Sequence, residues 1–337
     1  INADNATVDL PELFWNKPRG REASMSAIIN FDNSEVIEIT NLEVNSANFF
    51  ANGVATVDFN DGNILLARLD NLMFDDNDLK VTYRLVDNNT RLLKLSGKSL
   101  DLRPYIKQLQ DSEGESLPSF ILEIDIDRLI THTDQQITQA NGKFVNKLEG
   151  LESALLRGTL VSGAEFLFIL KPEGSKRKLS VRSEDAGSVA RAFNIYDNAI
   201  GGYLLMDAIL HDDEPDRPVV GEVRVKDYRV INAPTLAHIL AIASFTGIFE
   251  SLQGDGIAFS NFKMPFEFKN KNLTFNNAQT SGLSIGVNAS GSVNLDTDDV
   301  YMDGTIVPAY LVNSLLGNIP VVGDILVGGK GEGLFAA

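Results

Sequence analysis

Residues 120–127 read Phe-Ile-Leu-Glu-Ile-Asp-Ile-Asp, and this stretch decides the fold. Side chains of a β-strand point to its two faces in turn, so residues of like parity share a face. The pattern therefore predicts a strand with an acidic face and an apolar face. The apolar face would carry Phe120, Leu122, Ile124 and Ile126.

The same alternation recurs along most of the chain. It is clearest at residues 79–85, 263–269 and 283–288, and similar runs occur at 24–31, 37–44, 54–59, 161–171, 178–182 and 222–228. Turn-forming residues separate the runs, above all Asp61-Gly62, which is a strong hairpin signal. The pattern predicts an antiparallel meander of about fifteen to eighteen strands.

Helical patterns are few. We expect helices at about 184–193, 234–252 and 309–317, whereas residues 129–151 are compatible with either a helix or strands. The expected organisation is a β-segment over residues 1–178, followed by a region over 179–337 that contains the helices.

So few helices are too small to cover so many apolar strand faces. The faces must pack against one another in a closed sandwich or barrel, or remain open as a curved groove that something apolar fills. Composition alone favours the closed sandwich.

Charge and composition exclude several classes of function. The chain has 46 acidic and 29 basic residues, a formal net charge of −17, and no basic cluster longer than Lys176–Lys178. This composition is not that of a nucleic-acid-binding protein, and it disfavours attraction to anionic headgroups. The absence of cysteine excludes disulfides and thiolate chemistry, and it fits an oxidising envelope compartment as well as many cytosolic proteins.

No motif indicates catalysis or a cofactor. The three histidines, at 132, 211 and 238, lack an obvious catalytic partner. His211 precedes Asp212-Asp213-Glu214 and could bind a cation with them, although a solvated loop is the simpler interpretation. The glycine-rich residues 328–333 lack the P-loop pattern. We expect no enzyme activity, no metal and no cofactor.

The C-terminal sequence resembles a known family. In order along the chain it contains the strings SEDAG (183–187), IYDNAIGGYL (195–204), INAPTLAHILAIASFTGI (231–248), GDGIAF (254–259), GTIVPAYLVN (304–313), LGNIPVVGDIL (316–326) and GGKGEGLF (328–335). This series resembles the C-terminal region of the AsmA-like family. The likeness covers residues 179–335, whereas residues 1–150 resemble the family only in their general sequence character.

The resemblance implies a periplasmic protein of a Gram-negative bacterium, with an inner-membrane anchor upstream of Ile1 and its C-terminal end at the outer membrane. It implies a long, curved antiparallel sheet whose apolar groove carries phospholipid acyl chains between the two membranes. The expected lining residues are Leu79, Val81, Tyr83, Phe120, Leu122, Ile124, Ile126, Met264, Phe266, Phe268, Leu283, Ile285 and Val287.

Two apolar segments near the C-terminus are candidates for capping the groove or contacting a membrane, although the first is more simply interpreted as an ordinary core helix. Their residues are Leu236, Ile239, Leu240, Leu311, Leu315, Leu316, Val321 and Val322. Two alternatives to lipid transport remain. One is a scaffold or an outer-membrane assembly module. The other is a carbohydrate-active enzyme, which would need carboxylates clustered on one face.

Overall fold

The structure is a computed structural model that describes residues 2–31, 35–87, 89–111, 118–233, 237 and 255–308. The chain divides into two compact units, an N-terminal unit (Ile1–Val161) and a C-terminal unit (Ser162–Ala337). Within the described ranges, no helix has the length and apolar character needed to cross a membrane.

In the part of the N-terminal unit that the structure describes, nine strands, β3 to β11, form a sheet and neighbour one another in chain order. Their bounds are β3 Ala23–Phe31, β4 Val36–Ser46, β5 Phe49–Asp58, β6 Ile64–Phe74, β7 Asn77–Leu85, β8 Arg91–Asp101, β9 Phe120–His132, β10 Gln135–Lys147 and β11 Gly150–Leu160. A small hairpin precedes the sheet, formed by β1 (Val8–Leu10), a 3₁₀ turn (Pro11–Leu13) and β2 (Trp15–Lys17).

Short polar turns join most of these strands, as the sequence predicts. Between β5 and β6, the carboxylates of Asp58 and Asp61 accept hydrogen bonds from the backbone N–H groups of Asn60 (2.7 Å) and Asn63 (2.8 Å). Gly62 has a φ of 74°, a left-handed conformation that glycine adopts without steric cost. The hairpin predicted at Asp61-Gly62 is confirmed.

One strand pair departs from the antiparallel meander. β8 and β9 are parallel, with Leu93 beside Leu122 and Leu95 beside Ile124. Two parallel neighbouring strands need a connection that brings the chain back to the end of the sheet where the first strand began. Helix α1 (Arg103–Asp111) lies within that connection. The sequence patterns around residues 103–111 did not predict this helix.

The described residues of the C-terminal unit form eight strands, β12 to β19, again neighbours in chain order, and every strand pair from β12 to β19 is antiparallel. Their bounds are β12 Glu165–Glu173, β13 Lys176–Ser183, β14 Ala199–Leu210, β15 Val219–Val230, β16 Ile257–Lys269, β17 Asn272–Ser281, β18 Ile285–Asn294 and β19 Val300–Pro308. Helix α2 (Ala186–Ala192) connects β13 to β14 and begins after Asp185, whose carboxylate accepts a hydrogen bond from the Ser188 N–H.

The predicted fold class is confirmed: the chain is mainly β, with a long, curved and mostly antiparallel sheet and very few helices among the described residues. The ambiguous residues 129–151 form strands, and the helix expected at 184–193 is α2. The helices expected at 234–252 and 309–317 fall almost entirely outside the described residues. The two units meet at 161/162, whereas a boundary after residue 178 would cut through β13.

Candidate functional site

One face of the N-terminal sheet, here called its apolar face, is crossed by three rows of uncharged residues. In each row every residue lies directly opposite its neighbour on the next strand. The first row is Ile29, Ile39, Ala55, Ala67, Tyr83, Leu93, Leu122, Phe144 and Ala154. The second is Leu42, Gly53, Leu69, Val81, Leu95, Ile124, Gly142 and Leu156. The third is Met25, Val44, Ala51, Leu72, Leu79, Gly97, Ile126 and Ala140.

β-Bulges keep these rows continuous where the sequence breaks its alternation. Leu69 and Leu72 differ in parity, yet both lie on the apolar face because the register between β6 and β7 shifts between them. The same holds for Ile39 and Leu42 on β4, where Asn41 has a φ of 49°. A bulge adds a residue to one strand and so restores the face that simple alternation would lose.

The C-terminal sheet has an equivalent apolar face. One row crosses all eight strands through Leu170, Leu179, Ala208, Gly221, Phe266, Phe275, Gly291 and Met302. Ala208, Phe266 and Phe275 are buried in a cluster whose other described members all belong to this face. The side chains of this face therefore bury one another.

The opposite face of each sheet carries ion pairs and is here called the charged face. In the N-terminal unit, Glu123 lies between Lys94 (2.7 Å) and Lys143 (3.3 Å). Hydrogen bonds from these two lysines hold the pKa of Glu123 below its ordinary value. Asp125 also points to this face, since it pairs with Ser96 and Asn141.

The charged face of the C-terminal unit has a similar ladder of charges. Arg182 binds Asp207 (2.7 Å), and Glu222 contacts both Arg224 (3.3 Å) and Lys263 (3.1 Å). Burial works to raise the pKa of Asp207, but the hydrogen bonds and positive charge of Arg182, the hydrogen bond from Ser180 and the charge of Lys178 together outweigh it, and the pKa is lowered. These carboxylates are therefore paired with cations rather than clustered with one another, as a glycosidase site would require.

Exposure along the N-terminal apolar face rises from one strand end to the other. Near the start of β5, Ala51 and Leu72 are each 5 % exposed and Leu79 is 4 % exposed. Towards the other end of the same strands, Val57 of β5 and Tyr83 and Leu85 of β7 are half-buried. The face is thus closed at one end of the strands, here called the closed edge, and accessible at the other end of the strands, here called the open edge.

The structure places most of the predicted lining residues on the apolar faces. In the N-terminal unit, those of β7 and β9 fall into the three rows, except Phe120, which lies at the open edge beside Arg91 and Asn146. In the C-terminal unit, Phe266 is buried, and Met264 and Phe268 pack around it. Ile285 is fully buried in a cluster with Ile257 and Phe259, and Val287 packs against that cluster.

The prediction for Leu283 is wrong. Leu283 precedes β18, lies in the turn after β17, and is 89 % exposed. The alternation with Ile285 and Val287 suggested a common strand, but the strand begins only at Ile285. The eight residues predicted to cap the groove or contact a membrane, Leu236, Ile239, Leu240, Leu311, Leu315, Leu316, Val321 and Val322, lie outside the described residues.

Several residues of the apolar faces were missed. Leu93 and Leu95 of β8 join the predicted residues of β7 to those of β9, and Phe275 of β17 lies directly opposite Phe266. Their signal was present, since each alternates with polar neighbours such as Lys94 and Thr274. The small residues of the rows gave no such signal, because alanine and glycine occur on either face of a strand.

The acidic group at His211 is compact in the structure. One ligand atom from each of His211, Asp213 and Glu214 lies within 4.8 Å of the others. The Lys176 Nζ, however, lies 2.9 Å from His211 Nδ1 and 3.7 Å from a Glu214 carboxylate oxygen. This ammonium group already supplies the positive charge that a cation would bring, which favours the solvated-loop interpretation.

Comparison of the chain with protein-family models, with curated proteins and with solved structures found no match.

Proposed function

We propose that the apolar faces of this protein bind the acyl chains of phospholipids, as part of a periplasmic protein that carries phospholipid between the inner and outer membranes. The observation that carries the proposal is the set of cross-strand rows in the N-terminal unit, in which no residue is charged. The resemblance to the AsmA-like family supports the envelope location and an inner-membrane anchor in the full-length protein.

The chemistry of the rows suits a hydrocarbon better than a protein segment. Tyr83 carries the one side-chain hydroxyl in the three rows, so the face offers almost nothing to orient a peptide backbone. An acyl chain needs no hydrogen bonds and buries a few hundred Å² of apolar surface. At about 25 cal/mol per Å², this burial is worth on the order of 10 kcal/mol before ordering costs.

The dimensions of the face also fit. Strands lie about 4.8 Å apart and residues of one face recur about every 6.7 Å along a strand. The three rows therefore form a band roughly 13 Å wide, in which the first row crosses the nine described strands of the N-terminal sheet and the other two cross eight each. A surface this uniform lets a chain slide across it, because no polar contact fixes one position. The proposal gives these residues a binding role and no catalytic role.

The proposal is tested by site-specific photocrosslinking in Gram-negative cells. Tyr83 is half-buried on the apolar face, whereas Tyr203 is 56 % exposed and lies on the charged face beside Lys226. An aromatic photoreactive residue replaces either tyrosine with little change of size. Phe268, half-buried on the apolar face of the C-terminal unit, provides a second test position.

We expect adducts with the mass of a phospholipid at positions 83 and 268 and none at position 203. A scaffold or assembly module would instead give protein adducts at the apolar positions. Absence of lipid at positions 83 and 268, with a working crosslinker, or equal lipid labelling at all three positions, would overturn the proposal.

A further inference from the structure

We propose that Trp15, Phe49 and Phe74 form the end wall of the acyl-chain site in the N-terminal unit, and that this wall limits the length of the chain that the site accepts. The inference rests on the proposed function, since it assigns a specificity-determining role within the same face. The three side chains are here called the aromatic wall.

The aromatic wall stands at the closed edge. Phe49 and Phe74 lie directly opposite each other on β5 and β6, with ring centroids 6.0 Å apart. Each is two residues from a member of the third apolar row, Ala51 and Leu72, and so shares their face. The Trp15 ring covers Phe49, with a centroid distance of 4.4 Å. All three aromatic side chains are between 5 % and 7 % exposed.

Two sets of contacts hold the hairpin that carries Trp15 in place, one at Lys17 and one at Phe14. Lys17 is 2 % exposed, and its ammonium group donates hydrogen bonds to the backbone carbonyls of Asp4 (3.2 Å) and Ala6 (2.9 Å). On the other side, Phe14 packs edge-on against Tyr105 of α1, at 4.9 Å between centroids, and the Tyr105 hydroxyl donates to the Glu12 carbonyl (3.0 Å).

Lys17 ties the hairpin to residues 4–6, and the Asp4 carboxylate in turn accepts a hydrogen bond from the Ala23 N–H of β3 (2.9 Å). A buried ammonium group is costly unless its donors are satisfied, so Lys17 holds the backbone around it in one arrangement. The aromatic wall is therefore held in a fixed position within the N-terminal unit.

The distance along β5 from the open edge to the third row, which lies next to the wall, is of the same order as the depth of one membrane leaflet. From Val57 to Ala51 on β5 the chain advances about 20 Å, at roughly 3.3 Å per residue. The acyl region of one leaflet is about 15 Å deep, half of a hydrocarbon core of about 30 Å. An acyl chain that enters at the open edge would therefore place its methyl end near the aromatic wall and leave the headgroup in water.

The chain's single tryptophan allows a test on the unmodified protein. The protein is loaded with phosphatidylethanolamine that carries bromine near the methyl end of one acyl chain, or near its carbonyl. Bromine quenches tryptophan fluorescence at close range. We expect the larger loss of fluorescence from the bromine near the methyl end, at equal lipid occupancy determined by mass spectrometry.

A variant tests the length limit. With Trp15→Ala, competition between phosphatidylethanolamines of ordinary and longer chain length should shift towards the longer chains. Leu283→Ala, which removes an exposed leucine of the C-terminal unit, should leave the selection unchanged. Circular dichroism establishes that both variants are folded, and the quenching experiment decides the question if Trp15→Ala does not fold.

The outcomes separate this inference from the proposed function. If lipid binds but both brominated lipids quench equally, or the carbonyl-end bromine quenches more, the proposal of an end wall is wrong. The proposal that the apolar face binds lipid is then unaffected. If a folded Trp15→Ala selects chains as the unmodified protein does, the length limit is wrong. If no lipid binds at all, the proposed function fails first.

Discussion

Leu283 and Ile285 are two residues apart in the sequence, yet Leu283 is 89 % exposed and Ile285 is completely buried. Ile285 packs with Val230, Ile257 and Phe259 in one cluster. We expect Ile285→Ala to lower the free energy of unfolding by about 2–5 kcal/mol, because it removes buried methyl groups and leaves a cavity. Urea unfolding followed by circular dichroism measures the change.

Leu283→Ala is the matched control for that prediction. An exposed side chain loses little on truncation, so its free energy of unfolding should stay within about 0.5 kcal/mol of the unmodified protein. Equal destabilisation by the two substitutions would show that the strand begins before Ile285.

The class of fold could be predicted from the sequence, since alternation is a local property of each strand. Asp61-Gly62 located a hairpin, and residues 120–127 gave both the strand and its two faces. The parallel pairing of β8 with β9 could not be predicted in the same way. Pairing direction depends on where the chain returns after α1, which is a long-range property.

The candidate site was predictable where large apolar residues alternate with charged ones, as at Leu122 and Ile124. It was not predictable at bulges, because one inserted residue exchanges the two faces for the rest of the strand. Leu72 is the clearest case, since simple alternation from Leu69 would place it on the charged face. Nor did the sequence indicate that Trp15 packs on Phe49, a contact between a hairpin and a distant strand.

A charge on the apolar face should remove lipid without unfolding the protein if it is placed where the face is accessible. Leu122 is half-buried in the first row, so a lysine there can extend its ammonium group towards water. We expect Leu122→Lys to abolish lipid copurification, measured by mass spectrometry, and to retain the circular dichroism spectrum. Ile124 and Ile285 are unsuitable, since at 5 % and 0 % exposure a charge would unfold the strand.

Ile121→Lys is the control for Leu122→Lys. Ile121 is the preceding residue, is also half-buried, and points to the charged face, where it lies beside Leu92 and Val145. Its substitution should leave bound lipid unchanged. Loss of lipid from both variants would mean that general destabilisation, and not the charge on the apolar face, is responsible.

Ionisation of the Tyr228 phenol at alkaline pH should destabilise the folded protein. Burial raises the pKa of its phenol from 10.0 to about 12 against the opposing effect of the hydrogen bond with Thr280. A raised pKa means that the folded state favours the neutral phenol. Its contribution is complete below pH 10.0 and is lost as the pH rises towards 12.

The measurement is the pH dependence of the free energy of unfolding for Tyr228→Phe and for the unmodified protein. The variant keeps the ring stacked on Phe259, at 5.2 Å between centroids, and removes the hydroxyl. We expect the variant to lose less stability between neutral and strongly alkaline pH. Tyr203→Phe, which removes an exposed phenol, serves as the control, and parallel curves for Tyr228→Phe and the unmodified protein would contradict the prediction.

The stabilisation of helix α2 by Asp185 should depend on pH and weaken in acid. Its carboxylate accepts hydrogen bonds from the Ser188 N–H (2.9 Å) and from the Ser188 hydroxyl (2.8 Å). Burial works to raise the pKa of Asp185, but these hydrogen bonds, a further one from Ser162 and the positive charge of Arg191 together outweigh it, and the pKa lies below the ordinary 3.8. A lowered pKa gives a contribution that is complete above pH 3.8 and is lost as the pH falls through the lowered value.

We therefore expect Asp185→Ala to cost about 1 kcal/mol at neutral pH, the usual value for an N-cap, and less in acid below the lowered pKa. Asp185→Asn should retain most of the cap, because its side-chain oxygen still accepts from the Ser188 N–H, but it should lack the dependence on acid. Urea unfolding of all three proteins at both pH values measures the differences. If the cost of Asp185→Ala is the same at both pH values, the ionised carboxylate is not the source of the stabilisation.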